Sequence, residues 1–222
     1  MSLYGLLKQR ESQQNPIKIG VIGAGTFSSA FINQATITPG MKLVSIADLE
    51  VKKARQACIA AGWPEEAIAL CDSASAINDS ASGSKVAITD NADNLINAEL
   101  DVLLEATGVT EAGTYHAWTA LDAGKHVIMG NVETDSLLGN VLKKKADEKG
   151  LVCSMAYGDQ PAIICDMIDW ARTIGLEVVS AGKGTRYQPE YRYSTPATGG
   201  GAQFLDWGSV ESRHAPSRHP RY

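Results

Sequence analysis

The sequence predicts an α/β fold, a doubly wound parallel sheet followed by the beginning of a second, α+β domain. Three observations carry this. Short apolar runs alternate with segments of helical spacing from Ile17 to Gly158. Most connections between them are short, as in βαβ units with helices on both faces of a sheet. The first run, in "PIKIGVIGAGTFSSAFI", ends in a glycine turn that opens straight into a helical pattern.

Taken in order, Leu3, Leu6 and Leu7 share one helical face and predict a short leading helix in an extension over 1–16. "IKIGVI" reads as the first strand and "TFSSAFINQATI" as the first helix of the sheet. "KLVSIAD" is the second strand, and "VKKARQACIAAG" a helix that stops at Gly62. The stretch from Gly62 to Lys85, rich in Ala, Ser and Asp, reads as a loop with one or two helical turns. "KVAIT" and "DVLLEATG" are further strands, then "EAGTYHAWTALDAG" a helix and "HVIMGN" a strand. "DSLLGNVLKKKADEKG" reads as a helix capped by Asp135, with Leu138, Val141, Leu142 and Ala146 inward and Lys143 and Lys144 facing water. "LVCSMAYG" closes the domain, which spans 17–158.

Beyond Gly158 the character changes. "DQPAIICDMIDWARTIG" is an amphipathic helix with Asp159 as N-cap, Pro161 in its first turn and Gly175 as its stop. Ile163, Ile164, Met167, Ile168 and Ile174 form its stripe, and "LEVVSAGKGT" follows as a strand. This predicts a partial substrate domain over 159–196. The glycine-rich, basic segment 197–222 reads equally as a disordered tail or as unrelated sequence replacing the rest of that domain.

Composition narrows the function. The 222 residues suffice for one full α/β domain and part of a second, and 44% hydrophobic content supplies a core. A formal net charge of -5 gives no basic face for general nucleic-acid or membrane-surface binding. No apolar run reaches the length of a membrane span, and "MSLYGLLKQRESQQN" does not read as a signal peptide. Cys58, Cys71, Cys153 and Cys165 show no CxxC spacing, so reduced, mostly buried thiols of a cytoplasmic protein are expected. His116, inside a helix, and His126, opening a strand, read as structural, and no metal site is suggested.

The glycine turn points to a ligand. Gly23 and Gly25 fill the first two positions of GxGxxG, for a tight turn and for close approach of a pyrophosphate. Ser28 takes the third position, where a small residue lets helix and strand pack. The helix beginning at Thr26 and Phe27 turns its free N–H groups and positive dipole end toward that phosphate. Asp48 ends the second strand near the ~20-residue offset at which an acid meets a ribose hydroxyl. This is a Rossmann-type dinucleotide signature, with a turn serving another ligand such as S-adenosylmethionine as the competing reading. Asp48 suits NAD(H), whereas Lys52, Lys53 and Arg55 just beyond it suit the 2′-phosphate of NADP(H), and the choice stays open.

Ligands of open α/β sheets sit outside the carboxyl ends of the strands. Those ends place Thr107 and Gly108, Asn131 and Glu133, Tyr157 and Asp159, and Lys183, Arg186 and Tyr187 around a nicotinamide ring and its substrate.

"IGVIGAGTF", "LLEATG" and "ALDAGKHVIMGNVETD" resemble the cofactor domain of homoserine dehydrogenases, within the wider family that includes glucose–fructose oxidoreductases. "YGDQPAIICDMIDWARTIGLEVVSAGKGTRYQPEYRYSTP" resembles the homoserine-dehydrogenase-like proteins with a C-terminal SAF domain, among them the deoxyxylulose-phosphate-reductoisomerase-like (DRL) oxidoreductases. The resemblance runs from Ile17 to Pro196. It implies a nicotinamide-dependent dehydrogenase or reductase acting on a small polar metabolite, carboxylated or phosphorylated, with NADPH usual in the reductoisomerase-like branch. Homoserine dehydrogenases place a lysine after the asparagine that corresponds to Asn131; here Val132 stands there. Members of the family are longer, so this chain reads as truncated. A dinucleotide-binding protein without turnover, or a redox sensor, is therefore the alternative.

The roles expected are these. Gly23, Gly25, Thr26, Phe27, Asp48, Thr107, Gly108 and Asn131 bind the cofactor. Hydride transfer to a carbonyl leaves an alkoxide that needs a proton or a cation, and Lys183, set between two glycines, is the first candidate. Asp159 is either an acid–base group or a plain N-cap. Glu133 either orients the nicotinamide ribose or substrate, or is an acid favoured by the helix dipole. Arg186 is a candidate for a substrate phosphate or carboxylate. Pairing through the sheet of the second domain makes a homo-oligomer possible.

Overall fold

The computed structural model describes residues 2–156 and 160–182. One seven-stranded, all-parallel sheet runs in the order β3-β4-β2-β1-β5-β6-β7. The strands are β1 Ile17–Ile22, β2 Met41–Ala47, β3 Ile68–Leu70, β4 Val86–Thr89, β5 Val102–Glu105, β6 His126–Met129 and β7 Cys153–Met155. From β1 the chain builds one side of the sheet, β2 beside β1, then the edge strand β3 and β4 between them, and returns to the other side of β1 through β5, β6 and β7. The direction of winding therefore reverses between β1 and β5, where α/β sheets leave a crevice for ligand.

The helices are α1 Leu3–Ser12, α2 Thr26–Ala35, α3 Val51–Ala60, α4 Ala74–Ser82, α5 Ala92–Ile96, α6 Thr110–Asp122, α7 Val132–Glu148 and α8 Gln160–Thr173. Successive strand residues point to opposite faces. Val21, Leu43, Ile46, Ile88 and Leu104 bury against α2 and α3. Ile22, Val44, Ala87, Leu103 and Val127 bury against the face covered by α4, α5, α6 and α7. Burial on both sides explains why these strands read as continuous apolar runs.

Several expectations are corrected. The stretch between Gly62 and Lys85 is not mainly loop, because it holds the 3₁₀ turn Glu65–Ala67, the edge strand β3 and the nine-residue α4, capped by Ser73. The α7 helix starts at Val132 with Asn131 as its cap, so Asp135 lies in its first turn. Val141 is half exposed while Leu142 and Ala146 are buried, and Lys145 lies over the Trp118 ring and pairs with Asp122. On α8, Ile164 and Ile168 are half-buried, whereas Ile163, Met167 and Ile174 stay exposed. Residues 176–182 form no strand, and Val179 is 89% exposed. Cys58 and Cys153 are buried as expected, but Cys165 is exposed. The expected leading helix is present as α1 and buries no residue. No helix among the described residues is long and apolar enough to cross a membrane.

Candidate functional site

The glycine turn lies at the carboxyl end of β1, at the reversal of the sheet. Gly23 has φ +94°, and a Cβ there would lie 2.7 Å from the carbonyl oxygen of Ala106. Only glycine combines that backbone with that approach. Gly25 caps α2 in extended backbone, without a side-chain cap, and a Cβ on it would meet nothing within 4 Å. The first N–H groups of α2 thus carry no side-chain cap beside an open glycine, the arrangement that receives a phosphate. Ser28 is fully buried, so the third position does pack helix on strand, and its hydroxyl has no hydrogen-bond partner among the described residues.

Asp48 is built into this turn. Its Oδ2 accepts from the Ala24 N–H at 2.6 Å and its Oδ1 from the Glu50 N–H at 2.8 Å. The carboxylate cannot swing away without breaking the turn. Leu49 beside it is 91% exposed. With Asp90, Asn91, Tyr115 and His116 it lines a groove of about 470 Å³ at the ends of β2 and β4. Tyr115 donates to Asp93 at 3.0 Å, and that bond holds its hydroxyl above the usual phenol range. Lys52 and Lys53 are exposed at the start of α3, while Arg55 is paired with Glu65 at 2.8 Å.

The other half of the cleft follows β5 and β6. Phe27 is half exposed, and its ring covers Gly130, where a Cβ would lie 2.8 Å from it. Gly108 has φ +69° and faces open space. Thr107 and Asn131 are brought together. Asn131 Nδ2 donates to Thr107 Oγ1 at 3.2 Å and to the Val109 carbonyl at 3.1 Å, while its Oδ1 accepts from Thr134 N–H at 3.1 Å. Both side chains are occupied by protein partners. Glu133 is exposed in the first turn of α7, and burial raises the neighbouring Asp135 carboxyl above its ordinary value.

Lys183, Asp159, Arg186, Tyr157 and Tyr187 lie outside the described residues. Two participants escaped the sequence reading. Leu49 carried no signal beyond following Asp48. Glu105 did carry one, an acid closing an apolar parallel strand, and its Oε1 lies 3.2 Å from Nδ1 of His116.

The residues fit a nicotinamide dinucleotide. The cradle at Gly25 is one that a side chain would fill, the N–H groups of α2 are uncapped, and a held carboxylate closes the neighbouring strand.

Comparison with known proteins agrees. The family model described as homoserine dehydrogenase, NAD binding domain, matches residues 19–153, and that described as oxidoreductase DRL, catalytic domain, matches residues 158–214. No curated protein matches the chain. Among solved structures, an NAD binding oxidoreductase from Klebsiella pneumoniae is 17% identical (TM-score 0.47), covering 70% of this chain and 39% of its own. Apo scyllo-inositol dehydrogenase from Lactobacillus casei is 16% identical (TM-score 0.47), covering 71% and 42%. A homoserine dehydrogenase from Thiobacillus denitrificans is 23% identical (TM-score 0.44), covering 63% and 29%. The chain thus spans less than half the length of each of these proteins. With its glycine turn, its held acid and a family model covering most of the doubly wound sheet, the chain belongs to the family of homoserine dehydrogenase NAD-binding domains.

Proposed function

We propose that the protein is an NAD(P)-dependent oxidoreductase acting on a small polar metabolite that carries a carboxylate or phosphate. The observation that carries this is the joined glycine turn and Asp48 at the reversal point of the sheet, which together form a pre-shaped seat for a dinucleotide. The match of residues 158–214 to a DRL catalytic domain supports the step from binding to chemistry.

When bound, the nicotinamide supplies or accepts the hydride. The chain's own residues do the rest. The N–H groups of α2 hold the pyrophosphate, and Asp48 meets the adenosine ribose. The loops after β5 and β6 border the nicotinamide. Lys183 stabilises the substrate oxygen as charge develops on it, Asp159 moves a proton, Arg186 holds the substrate's anionic group and Glu133 orients the ribose or substrate.

The test is turnover of NADH or NADPH by the full chain on a panel of carboxylated and phosphorylated carbonyl compounds. The expected result is oxidation with at least one of them. It should be abolished in Lys183→Ala while dinucleotide binding is unchanged. One observation favours a second reading, dinucleotide binding without turnover: Val132 stands where homoserine dehydrogenases have a lysine, and the described loops after β5 and β6 and the first turn of α7 present Glu133 but no cation. Saturable binding with no turnover across the panel selects it.

A further inference from the structure

Glu105, the last residue of β5, is fully buried. Its Oε1 accepts from the Thr107 hydroxyl at 2.6 Å and the Thr107 N–H at 3.4 Å, besides facing His116. Its Oε2 has no hydrogen-bond partner among the described residues. Around it the elements crowd together. A Cβ on Gly113 of α6 would lie 2.4 Å from both Asn131 Nδ2 and Thr134 Oγ1, and 3.0 Å from Glu105 Oε2. The approach of α6 to this cluster therefore tolerates only glycine.

Burying a carboxylate costs stability, and an apolar residue of its size commonly does as well or better. A role in holding the fold does not account for Glu105. Its geometric effect does. One oxygen receives both donors of Thr107 and so fixes the entry to the loop 106–109. The Thr107 hydroxyl then accepts from Val109 N–H at 3.3 Å and from Asn131, which caps α7. Glu105 thus governs the loop after β5 directly and the start of α7 at one remove.

We propose that Glu105 is a positioning residue for the nicotinamide half of the cleft. Through Thr107 and Asn131 it holds the loops after β5 and β6 in the shape that receives the nicotinamide nucleoside, without touching cofactor or substrate. This rests on the dinucleotide reading. It separates the two halves of the ligand, because the side-chain hydrogen bonds of Glu105 run to Thr107 and His116 and none runs to Asp48 or the glycine turn, which seat the adenosine end.

The full chain and its variants Glu105→Gln and Thr107→Val are titrated with whichever of NADH or NADPH the wild type binds. The matching fragment without nicotinamide, ADP-ribose or its 2′-phosphate, is titrated alongside, and each protein is melted. Glu105→Gln exchanges charge-assisted bonds for neutral ones. It is expected to stay folded and to bind the dinucleotide about fivefold to tenfold more weakly, with fragment affinity within about twofold. Thr107→Val is expected to act in the same direction, and the double variant no worse than the more damaging single one. Unchanged dinucleotide affinity in folded Glu105→Gln overturns the proposal, even where Thr107→Val loses affinity, since that would mean direct contact by Thr107. Equal losses for dinucleotide and fragment also overturn it. Should Glu105→Gln not fold, Glu105→Asp, whose shorter side chain draws the carboxylate back from Thr107, is titrated in its place under the same criteria. A wild type that binds neither dinucleotide overturns the cofactor reading and this inference with it, whereas a binding wild type with unaffected variants overturns this inference alone.

Discussion

The two halves of the cofactor cleft are built on opposite principles. On the β1–β2 side backbone donors stay open: Gly25 has open space beside it and the first N–H groups of α2 lack a side-chain cap, while Asp48 is held on the backbone of the turn. On the β5–β6 side Glu105, Thr107 and Asn131 turn inward and bond to one another, leaving Gly108, apolar Val109 and Val132, and the carboxylate of Glu133 at the surface. The first half presents chemistry to a ligand, while the second fixes a shape. A residue type that suits a ligand, such as Asn131 or Thr107, can therefore serve the scaffold instead.

Substitutions can break that contrast. The largest effect is expected at Gly23. Gly23→Val forces a β-branched residue into φ +94° against the Ala106 carbonyl, so the fold itself should lose about 3 kcal/mol or more, read by denaturant unfolding. Gly25→Val should leave the melting transition in place, because its Cβ meets no protein atom, yet weaken dinucleotide binding by about a hundredfold. Asp48→Ala frees the Ala24 and Glu50 N–H groups and removes the proposed ribose acceptor, and titration should show about tenfold weaker binding. The smallest effect is expected at Ser28. Ser28→Ala deletes a buried hydroxyl without a partner and should stabilise the protein by roughly 1 kcal/mol with binding unchanged.

Cysteine chemistry sharpens the same distinction between buried and presented groups. Burial pushes the Cys58 and Cys153 thiols from the ordinary 9.0 up to about 11. Between these values the unfolded chain releases protons that the folded one keeps, so their contribution to stability is complete below pH 9 and lost as pH rises toward 11. Thiol alkylation at neutral pH should label exposed Cys165 first and leave Cys58 and Cys153 unmodified while the protein is folded.

Much of this was legible in the sequence because burial on both sheet faces writes strands as unbroken apolar runs. The glycine turn and Asp48 were legible because backbone geometry demands them at set offsets. The strand β3 was hidden because three half-exposed edge residues carry no period. The cap of α7 was misplaced because Asn131 and Asp135 are both good cap residues, and only the buried contacts of Asn131 with Thr107 and Val109 decide between them. Of the strand expected over 176–185, the described residues 176–182 form none although "LEVV" has strand composition, since composition alone does not pair a strand. Glu105 was passed over because the eye follows the exposed end of "LLEATG", whereas the informative residue was the acid that ought not to be buried.

The most direct test of the account is a titration of the purified full chain with NADH and, separately, NADPH, alongside Gly25→Val with its melting curve. The account predicts saturable binding of at least one dinucleotide by the wild type and its loss in a variant that melts as the wild type does. A folded wild-type protein that binds neither, or a Gly25→Val variant that binds as well as the wild type, would contradict it.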